Sequence, residues 1–384
     1  MAVPLILHAG MHKTGTSSIQ QTLYRYLRDP RFRYIGCGLV NGSRAIHALV
    51  SQRPGDHHTH RDQGLNERSV LRLQRQFRHC WQQQLSQARS SGAIPIVSAE
   101  ECWILSRAEL QNLRAMIEAE GFRAQVVVYL RSPLSWLSSM VQELLKNSLF
   151  PVVDELFTPR LHAWGSMPYL QPMYVERLAM LEDVFGVESL RVRHFRGAAL
   201  RSSCVVEDFC HLIGLKMDPA LVCRSNDAMS VDASRLLYAY NQWTRQQTHC
   251  SFWAHTELLK ALQTLSGFPL KLHPHILRPL ASILDQQKTV IQDRYGIDLT
   301  DSGPIDETGS IQARRDLYQF SPESLRWLGS ATGCAPVDAG QDGASRLVAE
   351  QMRIFSYSCG GIVDRLYARI SRLSWHYRWL RMAA

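Results

Sequence analysis

The sequence predicts an α/β fold, a three-layer α/β/α arrangement in which helices cover both faces of a parallel sheet, and three observations carry the expectation. Short apolar runs suited to buried strands alternate along the chain with stretches of helical periodicity. Two of those runs, Leu5 to Leu7 and Gln125 to Leu130, pass directly into helices through polar junctions. A chain of 384 residues exceeds what one core comfortably fills, so one large α/β domain with an appendage is the natural reading.

In chain order, the Leu5 to Leu7 strand is followed by a helix from Thr16 with Ile19, Leu23, Tyr26 and Leu27 on one stripe. A helix near Glu67 to Ala88, a strand Ile94 to Val97 and a helix Glu109 to Glu118 come next. The last of these opens on a capping box, Ser106-Arg107-Ala108-Glu109. The β-branched run Gln125 to Leu130 reads as a central strand, and Pro133 suits the first turn of the helix after it. This alternation predicts a domain over 1–300. Asp301 to Gly309 and Gly329 to Gly343 are rich in Gly, Ala and Asp, which reads as linker over 301–345. The remainder, 346–384, is a basic helical C-terminal extension, with Leu366, Ile370, Leu373, Tyr377 and Leu380 on one face and Arg365, Arg369, Arg372 and Arg381 around them. Such a helix suits an anionic membrane surface, its own domain or a second subunit, and these alternatives stay open.

The junction after the first strand, Gly10-Met11-His12-Lys13-Thr14-Gly15-Thr16-Ser17-Ser18, is built to hold a phosphate. Small residues let backbone N–H groups converge on an anion, a helix N-terminus adds partial positive charge, and Lys13 adds a full one. Nucleotide triphosphatase loops place the lysine directly after the second glycine. Here Thr16 holds that position and the lysine stands two residues before Gly15. The second junction, Arg131-Ser132-Pro133, ends a strand in an arginine able to fork onto phosphate oxygens, with Ser139 eight positions on in the next helix.

The order Lys-Thr-Gly-Thr-Ser-Ser resembles the 5′-phosphosulfate loop of sulfotransferases, and Arg131 with Ser139 resembles their 3′-phosphate signature. The resemblance extends more softly over about residues 3–300. Val175 to Gly186 with Ser189 to Phe195 look like the family's following helix and strand, and Cys204 to Gly214 like its next helix. Arg224 to Ser230 looks like a later family loop but departs from it at Ala228 and Met229. The resemblance implies a P-loop-type sheet and a donor, 3′-phosphoadenosine-5′-phosphosulfate (PAPS). Lys13, Thr14, Gly15, Thr16, Ser17 and Ser18 would hold its 5′-phosphate, Arg131 and Ser139 its 3′-phosphate. Lys13 would also neutralise charge on the leaving group, so no metal is expected.

Transfer to a hydroxyl needs a base beside the sulfonate. Ser98-Ala99-Glu100-Glu101 places two carboxylates just past a predicted strand, where ligands collect in open α/β sheets. Similar bacterial carbohydrate-type sulfotransferases carry a Ser-x-Glu there, so Glu100 is the expected base, Glu101 the runner-up and His12 the third candidate. The acceptor expected from a glutamate base is a carbohydrate. The rival readings are a P-loop kinase using ATP and magnesium on a small metabolite, and a catalytically silent nucleotide-binding scaffold.

The formal charge of +9 suits anionic ligands, while no aromatic and basic interleaving marks a nucleic-acid module. No apolar run reaches the roughly eighteen residues needed to span a bilayer, and Met1 to Leu7 lacks the pattern of a signal peptide, so a cytoplasmic protein is expected. Nine cysteines without a C-x-x-C pair read as reduced thiols, Cys102 among them as a buried small hydrophobe. His57, His58 and His60 fall in the polar stretch Gln52 to Gly64, which reads as a solvated loop with no completed metal set.

Overall fold

The structure, a computed structural model, describes residues 3–57, 59–60, 63–157, 172–224, 228–243, 252–301, 309–340 and 342–361, with Arg365, Arg369 and Arg372. The elements run β1 (Val3–His8), α1 (Thr16–Tyr26), β2 (Phe32–Tyr34), α2 (Ser43–Val50), α3 (Glu67–Ser91), β3 (Ile94–Ser98), α4 (Arg107–Ala119), β4 (Phe122–Leu130) and α5 (Pro133–Lys146). They continue with α6 (Phe150–Glu155), α7 (Tyr174–Phe185), β5 (Leu190–His194), α8 (Val205–Leu212), α9 (Val231–Trp243), α10 (Phe252–Leu262), α11 (Ala281–Tyr295), α12 (Pro322–Thr332) and α13 (Ala344–Ser358).

Five strands form one all-parallel sheet in the order β2-β3-β1-β4-β5, which is the α/β class expected. Helices cover both faces. Ile6, Ile96, Val127 and Tyr129 meet Ile19 and Leu23 of α1 and Val206 and Phe209 of α8 on one face. The alternate residues Leu5, Leu7, Val97, Val126 and Val128 are equally buried on the other, where α4 and α7 pack on β4. Coverage on both sides is why these strands read as continuous apolar runs.

The chain separates into two compact units with boundaries unlike the 1–300, 301–345 and 346–384 partition. The first unit comprises Met1–Pro133, Met173–Asn226 and Ser282–Thr300, and holds the whole sheet. The second comprises Leu134–Pro172, Asp227–Ala281 and Asp301–Ala384. Within it, the Asp301 carboxylate accepts hydrogen bonds from the N–H groups of Leu134 (3.1 Å) and Ser135 (3.2 Å) in the first turn of α5. Part of the linker-like stretch is helical. Ser321 caps α12, which buries Leu325 and Leu328, and α13 buries Val348, Met352 and Phe355 while packing on α9 and α12. Local Gly and Ala content misled here because small residues also serve close packing: a Cβ on Gly329 would lie 3.1 Å from the Cys334 carbonyl oxygen. Apart from Arg365, Arg369 and Arg372, the basic stretch Val363 to Met382 lies outside the described residues. No helix among the described residues is long and apolar enough to cross a membrane.

Candidate functional site

The sheet order places the functional segments. From β1 the chain moves to one side through β2 and β3, then crosses to β4 on the other, so β1 stands at the point where the direction of winding reverses. Loops leaving the C-terminal ends of strands at such a point form the ligand crevice of open α/β sheets. Pairing registers His8 against both Ser98 and Val127. The loop after β1 is therefore flanked by the strand that leads into the Glu100 turn and by the strand that ends at Arg131, each about 4.8 Å from β1.

The loop has a strained and specific backbone. Lys13 (φ 65°) and Gly15 (φ 76°) are left-handed, a conformation that costs a lysine about 1 kcal/mol and persists where the surroundings impose it. The Thr14 hydroxyl donates to the Met11 carbonyl at 2.6 Å. Gly10 is needed for close approach, since a Cβ there would lie 2.4 Å from Thr16 Oγ1. Helix α1 opens at Gly15 with no side-chain cap, and the N–H groups of Gly15, Thr16 and Ser17 have no acceptor among the described residues. The Thr16 hydroxyl is buried and unpartnered as well. A converging set of donors left without acceptors fits a phosphate, which would satisfy them together.

Arg131 joins this loop from β4. Its Nη1 donates to the Lys13 carbonyl at 2.8 Å, its guanidinium lies 5.5 Å from the centre of the Phe195 ring, and its own carbonyl accepts from the Tyr174 hydroxyl. His12 lies half-buried in the loop. Ser139 is on α5 in the second unit.

On the other side, Glu100 and Glu101 open a short 3-10 turn, Glu100–Trp103, directly after β3. The two carboxylates are treated differently. The Glu101 N–H donates to Ser43 Oγ at 3.0 Å, and its carboxylate lies 3.2 Å from His57 Nε2. The Thr59 N–H donates to His57 Nδ1 at 3.2 Å, which leaves Nε2 as the ring nitrogen that faces the Glu101 carboxylate. The Glu100 side chain has no hydrogen-bond or ion-pair partner among the described residues. Cys102 is buried, and burial raises its thiol well above the usual range, as a packing residue requires.

The histidine stretch is a correction. His57 and His60 are 4% and 0% exposed, not solvated, and the rings of His47, His57 and His60 pack in series, edge-on and then tilted, with centroids 5.0 and 5.2 Å apart. The Pro54 carbonyl lies 2.7 Å from His60 Nδ1 and the Thr59 N–H donates to His57 Nδ1, so one nitrogen of each buried ring is hydrogen-bonded locally. His58 lies outside the described residues. Among the described residues no group of three or more His, Cys, Asp or Glu is placed to hold a metal ion.

His8 and Ser98 were missed by the sequence reading, although a polar residue closing each of two apolar strands was the available signal. A 2.8 Å hydrogen bond joins His8 Nδ1 to the Ser98 hydroxyl, and both side chains are completely buried. The Ser98 carbonyl in turn accepts from Gln20 Nε2 (3.2 Å) and the Gly42 N–H (3.0 Å), which pins the base of the Glu100 turn to α1 and to the residue before α2. Burial lowers the His8 pKa from 6.5 to about 3. The folded protein thus refuses a proton that the unfolded chain accepts, so the stability held by neutral His8 is whole above pH 6.5 and is lost as pH falls from 6.5 towards 3. At pH 5 the loss is about 2 kcal/mol. Urea unfolding at pH 7.5 and 5 should show that loss in the native protein and its absence in His8→Gln; equal pH dependence in the two would refute it.

No family model and no curated protein matches the chain. Among solved structures, a sulfotransferase from Alicyclobacillus acidocaldarius is similar at 19% identity over 58% of this chain and 89% of that one, with a TM-score of 0.36, a likeness from which no shared chemistry follows.

Proposed function

We propose that the chain is a sulfotransferase that moves the sulfuryl group of PAPS to an acceptor hydroxyl, of carbohydrate type. The observation that carries the reading is the hydrogen bond from Arg131 Nη1 to the Lys13 carbonyl. It joins the two phosphate-type junctions, separate in sequence, at the reversal point of the sheet. A lysine held in left-handed backbone ahead of an uncapped helix, with an arginine locked onto the same loop, suits a ligand bearing phosphate at two positions.

PAPS supplies a sulfuryl group already bonded to a phosphate leaving group. The N–H groups of Gly15, Thr16 and Ser17, with the hydroxyls of Thr14, Thr16, Ser17 and Ser18, bind the 5′-phosphate in the manner of an oxyanion site. Lys13 balances the negative charge that grows on the departing oxygen. Arg131 binds the 3′-phosphate. Glu100 takes the acceptor's proton, since its carboxylate is uncommitted while Glu101 is engaged by His57. His12 is the alternative base in the loop itself.

Calorimetry with adenosine 3′,5′-bisphosphate tests the reading. Charge-assisted contacts of about 1.5–3 kcal/mol each predict roughly 10- to 100-fold weaker binding in Lys13→Ala and in Arg131→Ala. Absence of binding by the native protein, or affinities unchanged in both variants, would overturn it.

A further inference from the structure

Two thiols distant in sequence meet beside the sheet. Cys37 follows β2 in left-handed backbone (φ 49°), a conformation unfavourable for any residue with a Cβ. Contacts with α3 hold it there. The Cys37 N–H donates to Gln84 Oε1 at 3.2 Å, and its Sγ lies 3.9 Å from the Phe77 carbonyl oxygen. Phe77, Cys80 and Gln84 follow one another at helical spacings of three and four, so they share one face of α3. Contacts to Phe77 and Gln84 bracket Cys80 from either side, so the two thiols are neighbours, and Cys80 bears on the ionisation of Cys37. Both cysteines are partly exposed and free, whereas Cys102, Cys210 and Cys334 are buried.

We propose that Cys37 and Cys80 are a reversible redox pair that closes into a disulfide on exposure to a peroxide. The Cys80 thiolate attacks a peroxide oxygen, the O–O bond breaks, and sulfenic acid and one water form. The Cys37 sulfur then displaces hydroxide from the sulfenic sulfur, forming the S–S bond and a second water. Two thiols lose two electrons and two protons, and hydrogen peroxide is reduced to two waters. Burial, with the neighbouring thiol adding to it, pushes Cys37 up to about 12, which suits the residue that resolves rather than the one that meets the oxidant. The link would tie the segment after β2 to α3, and that segment ends at Gly42, whose N–H holds the Ser98 carbonyl.

The test is treatment of the full chain with hydrogen peroxide, alkylation of remaining thiols, and digestion without reductant. A cross-linked peptide pair containing residues 37 and 80 is expected, reversed by a dithiol and lost in both Cys37→Ser and Cys80→Ser. Oxidised native protein should also unfold at a higher temperature than reduced protein, because the closed loop restricts the unfolded chain, and Cys80→Ser should show no such rise. Separate alkylation of both cysteines, accumulation of sulfinic acid on Cys80 without the link, or a link to any other cysteine would overturn the proposal.

Discussion

Glu100→Gln is expected to lower sulfuryl transfer by about 10²- to 10⁴-fold, the range for loss of a positioned general base, while binding of adenosine 3′,5′-bisphosphate is unchanged. The amide keeps the shape of the side chain and cannot take a proton. Because Glu100 has no partner among the described residues, its replacement breaks no hydrogen bond of the turn. Glu101→Gln is a different perturbation, since it removes the charge that faces His57 Nε2 at 3.2 Å and acts on the position of the turn. Transfer of labelled sulfate from PAPS to a panel of carbohydrates, lipids and phenols measures both variants. Full turnover in Glu100→Gln would remove it as the base. Loss in Glu101→Gln alone would pass the role to its neighbour.

Asp208→Ala is expected to destabilise the first unit by about 3–5 kcal/mol. The Asp208 side chain is 2% exposed, and its carboxylate receives Arg193 Nη2 (2.6 Å) and Nε (3.1 Å), the Tyr129 hydroxyl (2.8 Å) and the Arg201 N–H (3.1 Å). Those donors come from β4, β5 and the turn before α8, so one carboxylate ties the helix to the sheet. Removal strands a phenol in the core and leaves the guanidinium without its counter-charge. Burial works against the ionised carboxylate, but the hydrogen bonds from Arg193 and Tyr129 outweigh it, and the net pKa is lowered. Sign follows: the contribution is present above the ordinary aspartate value near 3.8 and disappears as pH falls below it. Urea unfolding at neutral pH should place Asp208→Ala well below the native midpoint and Asp208→Asn between them. A native-like midpoint for Asp208→Ala would show that the network contributes nothing net.

Local pattern made much of the sheet legible. The strands at Leu5, Ile94 and Gln125 announced themselves because burial on both faces demands uninterrupted apolar residues, and the Ser106 capping box fixed the start of α4 as observed. The strand β2 escaped because it is three residues long, sits at the sheet edge amid Arg31 and Arg33, and is specified by pairing with β3 far along the chain. His57 and His60 read as solvated from their polar neighbours, yet α2 and the Glu101 turn bury them.

By itself the sequence determined the class of fold, the glycine-flanked loop around Lys13 between strand and helix and the strand-end arginine, because glycine placement, β-branched runs and charge are properties of neighbouring residues. Only the tertiary structure decided that Arg131 grips the Lys13 carbonyl, that His57 engages Glu101 and spares Glu100, and that Cys37 meets Cys80. Each of these depends on which strands lie side by side and in what register, and strand order is set by packing across the whole sheet rather than by any single segment.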